Sequence, residues 1–253
     1  MSSLLVGLIV FALAFGAGVA GMVLHDKLPA HHKEADSKEV VKLVMGLIAT
    51  IAALVLSLLI ATAHSSYETQ ESEVQALGVR IVQLDRILED YGPEAQEARA
   101  LLRQIVANEL DQIWPKNGAA GVNLRAPLER SAGDRLIGRI ANLAPTNDAH
   151  RLAKTRALDI ITAIGETRRL LYEQASGSLS WPFFVILVFW VCVLFLGFGF
   201  LTRSNATVVT ALFVGALSVA GAIFLILEMN RPYSGMMQIS RAPIRNALDA
   251  ISH

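Results

Sequence analysis

Four stretches of the chain, residues 4–24, 43–63, 181–202 and 206–227, contain no charged side chain over 20 or more consecutive positions. Each is long enough to cross a bilayer, which takes about 20 apolar residues in a helix, and is about twice the length that would suit a buried core helix. The first stretch is preceded only by Met-Ser-Ser, without a basic residue. It is also longer than the apolar part of a signal peptide, so a retained span is expected.

The spans fall into two pairs. The pair within residues 1–64 is joined by the polar stretch HDKLPAHHKEADSKE, and the pair within 180–229 by Arg203, Ser204 and Asn205 alone. So short a link makes antiparallel neighbours of the helices it joins. A polar segment, 65–179, lies between the pairs, and a tail, 230–253, follows them. With two crossings on each side of it, the segment shares one side of the membrane with the N-terminus and the tail. The predicted fold is an all-α integral membrane protein. Its four transmembrane helices form two hairpins, with a helical extramembrane domain inserted between the second and third.

Helical periodicity runs through the inserted segment. Val74, Leu77, Ile81, Leu84, Leu88 and Tyr91 recur at steps of three and four, an apolar seam on one helix face. Because the sequence has neither Pro nor Gly between His64 and Gly78, the second span is expected to run on into this seam until Gly92-Pro93. A second helix holds phase through Ala98, Leu101, Leu102, Ile105 and Ile113 and ends at Trp114-Pro115. The stretch KNGAAGVN reads as a loop, and a short helix is expected over 127–143. Pro145 to Asp148 supplies the cap of a long last helix through Leu152, Leu158, Ile161 and Leu171. The tail predicts one amphipathic helix with Ile244, Leu248 and Ile251 inward, packed on the inserted domain or laid on the membrane surface.

Composition agrees with a membrane class: of 253 residues 53% are hydrophobic and 17% charged, with mean hydropathy +0.47. Twenty-two basic residues balance 22 acidic ones, which argues against a nucleic-acid surface or a polybasic lipid-binding one. The single cysteine, Cys192, excludes an internal disulfide. No Gly-rich phosphate loop, nucleophile elbow or zinc-type His-Glu-x-x-His occurs, and the spans hold no ionisable acid or base, so no enzyme and no cofactor is expected. His25, Asp26, His31, His32, Glu34 and Asp36 sit in or beside one loop, but their spacing matches no metal-site signature and no metal is expected there.

The candidate chemistry lies on the second helix. Thr50, Ser57, His64 and Glu71 are seven residues apart, and Glu68 flanks them, so they form one stripe. Ala49, Ala53, Ser57 and Ala61 make the same side small enough for close approach of another helix. Two accounts fit. The hydroxyls bond back to their own helix and the small residues pack it. Alternatively, stripes from several subunits surround an aqueous path with Glu68 and Glu71 at a cation-favouring mouth. Small residues spaced by four recur in the first span (Ala14 and Gly18, Ala17 and Gly21) and the fourth (Ala211 and Gly215, Ser218 and Ala222), predicting tight packing and an oligomer.

After the fourth span comes EMNRPYSG, in which Glu228 and Arg231 can pair three residues apart and Pro232 stops the helix. The longer stretch FLILEMNRPYSGMMQISRAPIRNAL resembles the closing signature of the bestrophin-like domain family of bacterial membrane proteins, at Glu228, Arg231, Pro232, Tyr233 and Gly235. The stretch SSYETQESEVQALGVRIVQLDRIL is similar to that family's segment after its second span. It departs from the usual Ala-Asn-Ala-Ile-Gly wording at Gln75, Ala76 and Leu77. More distantly, the architecture resembles the bestrophins, oligomeric ion channels whose second helix lines the pore. The resemblance implies a homo-oligomeric channel in the inner membrane that passes inorganic ions, with lipid around it and with the domain and both termini cytoplasmic. Counting basic residues near the membrane, five on the loop side against six on the domain side, does not decide the orientation. The rival class is a non-conducting scaffold or sensor whose helical domain binds a partner protein.

Overall fold

The computed structural model describes residues 2–27, 35–114, 128–176, 181–202, 205–233 and 235–252. Its α-helices are α1 (Ser3–Lys27), α2 (Ala35–Tyr91), α3 (Gln96–Ile113), α4 (Leu128–Ala141), α5 (Asp148–Ser176), α6 (Trp181–Leu201), α7 (Ala206–Met229) and α8 (Ala242–Ile251). There is no strand among the described residues. Four of the helices, α1, α2, α6 and α7, are long and apolar enough to cross a membrane. The chain divides into two compact units, 1–66 with 178–230 and 67–177 with 231–253. Helix α2 contributes to both, and its 57 residues are continuous.

In the first unit α1 packs on α6 and α7. Ala14 and Met22 of α1 meet Val191 and Phe195 of α6 and Leu212 and Ala216 of α7. The α1–α6 approach is set by glycine. A Cβ on Gly21 would fall on the carbonyl oxygen of Leu196, and one on Gly199 on that of Gly18. Near its C-terminal end α1 is tied to α6 by the buried His25, whose Nδ1–H donates to the Phe200 carbonyl at 2.7 Å. Helix α2 meets α6 through Met45, Ala52, Leu187 and Leu194, and the Met45 thioether lies over Gly197, 2.5 Å from where a Cβ would stand.

The second unit is built around the predicted seam. Val74, Leu77, Ile81, Leu84, Leu88 and Tyr91 are all buried, and they share one core with Leu102 and Val106 of α3, Leu136 and Ile140 of α4, Ile161 and Ile164 of α5, and Ile244 and Ile251 of α8. Gly78 does not interrupt α2. It lets Pro243 come so near that a Cβ at Gly78 would lie 2.8 Å from the Pro243 carbonyl oxygen. Asn147 caps α5, its Oδ1 accepting from the His150 amide at 2.7 Å. The tail helix α8 joins this core, as its apolar spacing predicts.

Between α2 and the 3-10 turn Pro93–Ala95, Gly92 takes φ 111° and ψ −166°, a region that side chains with a Cβ avoid. Gly92→Ala is therefore expected to cost about 1–3 kcal/mol, read as a lowered Tm in thermal unfolding followed by helicity. An unchanged Tm would mean that this turn relaxes without strain.

Polar ties also brace the unit. Arg99 of α3 grips the buried Asp85 of α2 in a two-pronged pair at 2.9 and 2.8 Å. Those hydrogen bonds push the Arg99 pKa above its ordinary value, so it stays charged. Arg80 donates to the Thr167 hydroxyl, linking α2 to α5. Tyr91, at the end of α2, stacks on His150 with ring centroids 4.5 Å apart. Burial first, and then the charge of Glu94, raise the Tyr91 phenol above its usual range.

Candidate functional site

Helix α2 shows three sectors within the first unit. One packs on α6 through Val41, Met45, Ile48, Ala49, Ala52, Leu56 and Leu59. Another is a ridge of leucines, with Leu43, Leu47, Leu54 and Leu58 each more than 60% exposed. The third lies roughly a third of a turn from the packed face at 100° per residue. It carries Thr50, Ser57 and His64, all exposed, interspersed with Gly46, Ala53 and Ala61, also exposed. A Cβ on Gly46 would meet nothing within 4 Å, so in a single subunit this small, polar sector borders open space. Further along the same helix, in the second unit, Glu68 is exposed and Glu71 half-buried.

The hydroxyl of Thr50 donates to the carbonyl of Gly46, one turn back, at 2.9 Å. This is the helix-internal bond that the sequence allows for. It recurs at the end of α6, where Thr202 donates to Phe198, and in α7, where Thr210 and Ser218 donate to Ala206 and Val214. A hydroxyl so engaged has spent its one proton and presents only oxygen lone pairs outward. Toward the sector's open side, Thr50 is an acceptor.

The closing signature divides between the units. Glu228 is buried in the last turn of α7, and Arg231 is exposed. Helix α7 ends on Asn230, whose side-chain amide donates back to the Ile226 carbonyl at 2.7 Å. The cap stands two residues before Pro232, the spacing expected where a proline bars a helix from continuing. Pro232 is buried, and its carbonyl accepts from the Ile239 amide at 2.7 Å, closing a loop. Within that loop Gly235 has φ 111°, where a side chain is disfavoured. The Tyr233 ring meets Trp114 edge-on at 6.0 Å, and the Trp114 indole N–H donates to the Ile239 carbonyl at 3.2 Å. Pro232, Tyr233 and Gly235 thus shape a loop latched onto the end of α3. The contribution of Trp114 and Asn230 was not visible in the sequence, since a single Trp or Asn carries no periodic signal.

Of the loop residues considered for a metal, His31, His32 and Glu34 lie outside the described residues. His25 has its Nδ1 engaged with Phe200. No cluster of three or more His, Cys, Asp or Glu suited to a metal lies among the described residues.

Residues 12–244 match the sequence model of the family described as Bestrophin-like domain. The chain also superposes on crystal structures of a bacterial Bestrophin homolog from Klebsiella pneumoniae carrying single substitutions. One aligns with TM-score 0.68 and 13% identity over 100% of this chain and 99% of that one. Two others align with TM-scores 0.67 and 0.68 at 12% identity, each covering 97% of this chain and 99% or 98% of theirs. At such identity the likeness concerns the fold. No curated protein matches the chain.

Proposed function

The chain belongs to the Bestrophin-like domain family, and on that premise we propose that it is an oligomeric ion channel of the inner membrane, with α2 nearest the central axis and a preference for cations. In this reading residues 1–64 and 180–229 form the two transmembrane hairpins. The segment 65–179 is the cytoplasmic helical domain, and 230–253 is a tail on the same side. Thr50 and Ser57 line the neck, and His64, Glu68 and Glu71 form its cytoplasmic mouth. Glu228, Arg231 and Pro232 fix the end of α7, while Tyr233 and Gly235 shape the loop that follows. The protein assembles with copies of itself, conducts inorganic ions and performs no catalysis.

The supporting observation is the orientation of the Thr50 hydroxyl. Its proton is given to Gly46, so a ring of such residues would offer oxygen acceptors to a cation's hydration shell and no donor to an anion. The exposed carboxylate of Glu68 adds attraction of the same sign. No charge lies on the stripe at membrane depth, so the neck would close by dewetting.

Ion flux from proteoliposomes, compared for Na⁺, K⁺ and Cl⁻, tests this. Wild type is expected to pass cations over Cl⁻, and Glu68→Gln/Glu71→Gln to lose several-fold of that preference while still conducting. Absence of flux at any pH or voltage, from protein shown to be folded and oligomeric, would favour instead a non-conducting scaffold whose helical domain binds a partner.

A further inference from the structure

Near the end of α5, Gln174 meets Glu73 of α2 in a contact rich in oxygen. The Gln174 Nε2–H donates to Glu73 Oε1 at 3.2 Å. The other oxygen of each group, Glu73 Oε2 and Gln174 Oε1, is buried and has no hydrogen-bond partner among the described residues. Gln70, 3% exposed, stands one turn before Glu73 on the same side of α2 and brings a further amide.

Charge sets the requirement. The arginines that α5 carries nearest to Gln174 are committed elsewhere, Arg168 to Glu109 and Arg169 to Glu173. Among the described residues no Lys, Arg or His pairs with Glu73. A carboxylate with one oxygen buried is costly to hold unless positive charge comes to it. A water could donate to both orphaned oxygens, but it brings no charge. Glu73 as a whole is only half-buried, so an ion in solution can reach it. Carboxylate and amide oxygens are hard donors, suited to alkali and alkaline-earth cations rather than to soft metals. Ca²⁺ takes about six to eight oxygens, with several carboxylates in its tighter sites. One carboxylate and its amides match a single positive charge instead.

We propose that Glu73 and Gln174, with Gln70 beside them, hold one alkali cation, Na⁺ or K⁺, whose remaining coordination is water. The ion neutralises Glu73 and bridges α2 to α5. All three residues belong to the second unit. The site does not rest on the channel reading, because its occupancy is read by stability rather than by conduction.

Thermal unfolding of the full chain in lipid nanodiscs, followed by helicity, tests this. Ionic strength is held constant while N-methyl-D-glucamine chloride is replaced stepwise by NaCl or KCl. At least one of the two is expected to raise Tm saturably by about 2–4 °C, the shift that modest single-site binding gives a chain of this size. Whichever salt does so identifies the ion. Glu73→Gln should lose that rise, yet be no less stable than wild type in N-methyl-D-glucamine, because the uncompensated charge is gone. Gln174→Glu sets two carboxylates together and should lower Tm in that salt. Ca²⁺ should restore it at concentrations at least about tenfold below any that affect wild type. Glu68→Gln/Glu71→Gln should keep the full rise. A wild-type Tm equal in all three salts would overturn the proposal. So would a rise that survives Glu73→Gln or disappears in Glu68→Gln/Glu71→Gln, since the ion would then sit elsewhere.

Discussion

Gly21→Val is expected to leave almost no folded protein in the membrane, and even Gly21→Ala to reduce its yield sharply. A Cβ at Gly21 runs into the Leu196 carbonyl oxygen and lies 2.9 Å from the Phe200 amide nitrogen; at Gly199 it meets the Gly18 carbonyl and lies 3.0 Å from the Met22 nitrogen. These obstacles are backbone on a facing helix, so no rotamer change relieves them. The helices must part, and every contact in the α1–α6 seam weakens together. The cost should exceed the about 1–3 kcal/mol typical of overpacking a deformable core, a large share of the roughly 5–15 kcal/mol by which proteins are stable. Gly16, on the same helix, is the control, because a Cβ there meets nothing within 4 Å. Gly16→Ala should be neutral or gain up to about 1 kcal/mol from helix propensity. Fluorescence-detected size-exclusion of tagged protein reports both. Equal yields for the two alanine variants would show that the seam can open without loss.

The second large effect concerns Asp85 and Arg99. Asp85→Leu removes one partner of a buried pair and strands the guanidinium, whose side chain is 15% exposed, at a cost of about 3–5 kcal/mol. Arg99 cannot escape by losing its proton, since a guanidinium stays protonated inside proteins whatever its partner. Asp85→Leu/Arg99→Met replaces both charges with apolar side chains and should recover most of that loss, since the desolvation of both ions disappears with them. Glu89 approaches the same guanidinium at 3.3 Å, but its side chain is 58% exposed, so Glu89→Gln should matter little. Thermal unfolding followed by helicity separates these cases. A double variant as unstable as the single one would mean that the pair itself, and not the stranded charge, carries the stability.

Periodicity made the helices legible. The seam from Val74 to Tyr91 could be read because its residues recur at helical steps, and all six are buried as that spacing requires. The tail helix was legible for the same reason through Ile244 and Ile251. Small residues at Gly18 and Gly21 announced close approach, yet nothing in their spacing named the partner. That partner is α6, where Gly199 alone faces the Gly18 carbonyl and belongs to no four-residue pattern of small residues. Spans without charge are alike to the sequence, and which pairs touch is settled by shape. The polar sector of α2 was legible as a stripe. Whether a hydroxyl in it points its proton inward or outward is a matter of one torsion angle, which residue identity leaves open; for Thr50 the bond to Gly46 fixes it.

The α1–α6 seam also bears on how the protein is made. Helix α1 ends at Lys27 and α6 begins at Trp181, roughly 150 residues later. At about 5–20 residues per second of synthesis, the first helix waits about 8–30 s before its glycine-matched partner emerges. During that interval Gly18 and Gly21 have only lipid, or the wrong helix, to lie against. A slower ribosome lengthens the wait and a faster one shortens it, so the tempo of translation sets how long this surface stands open to mispairing.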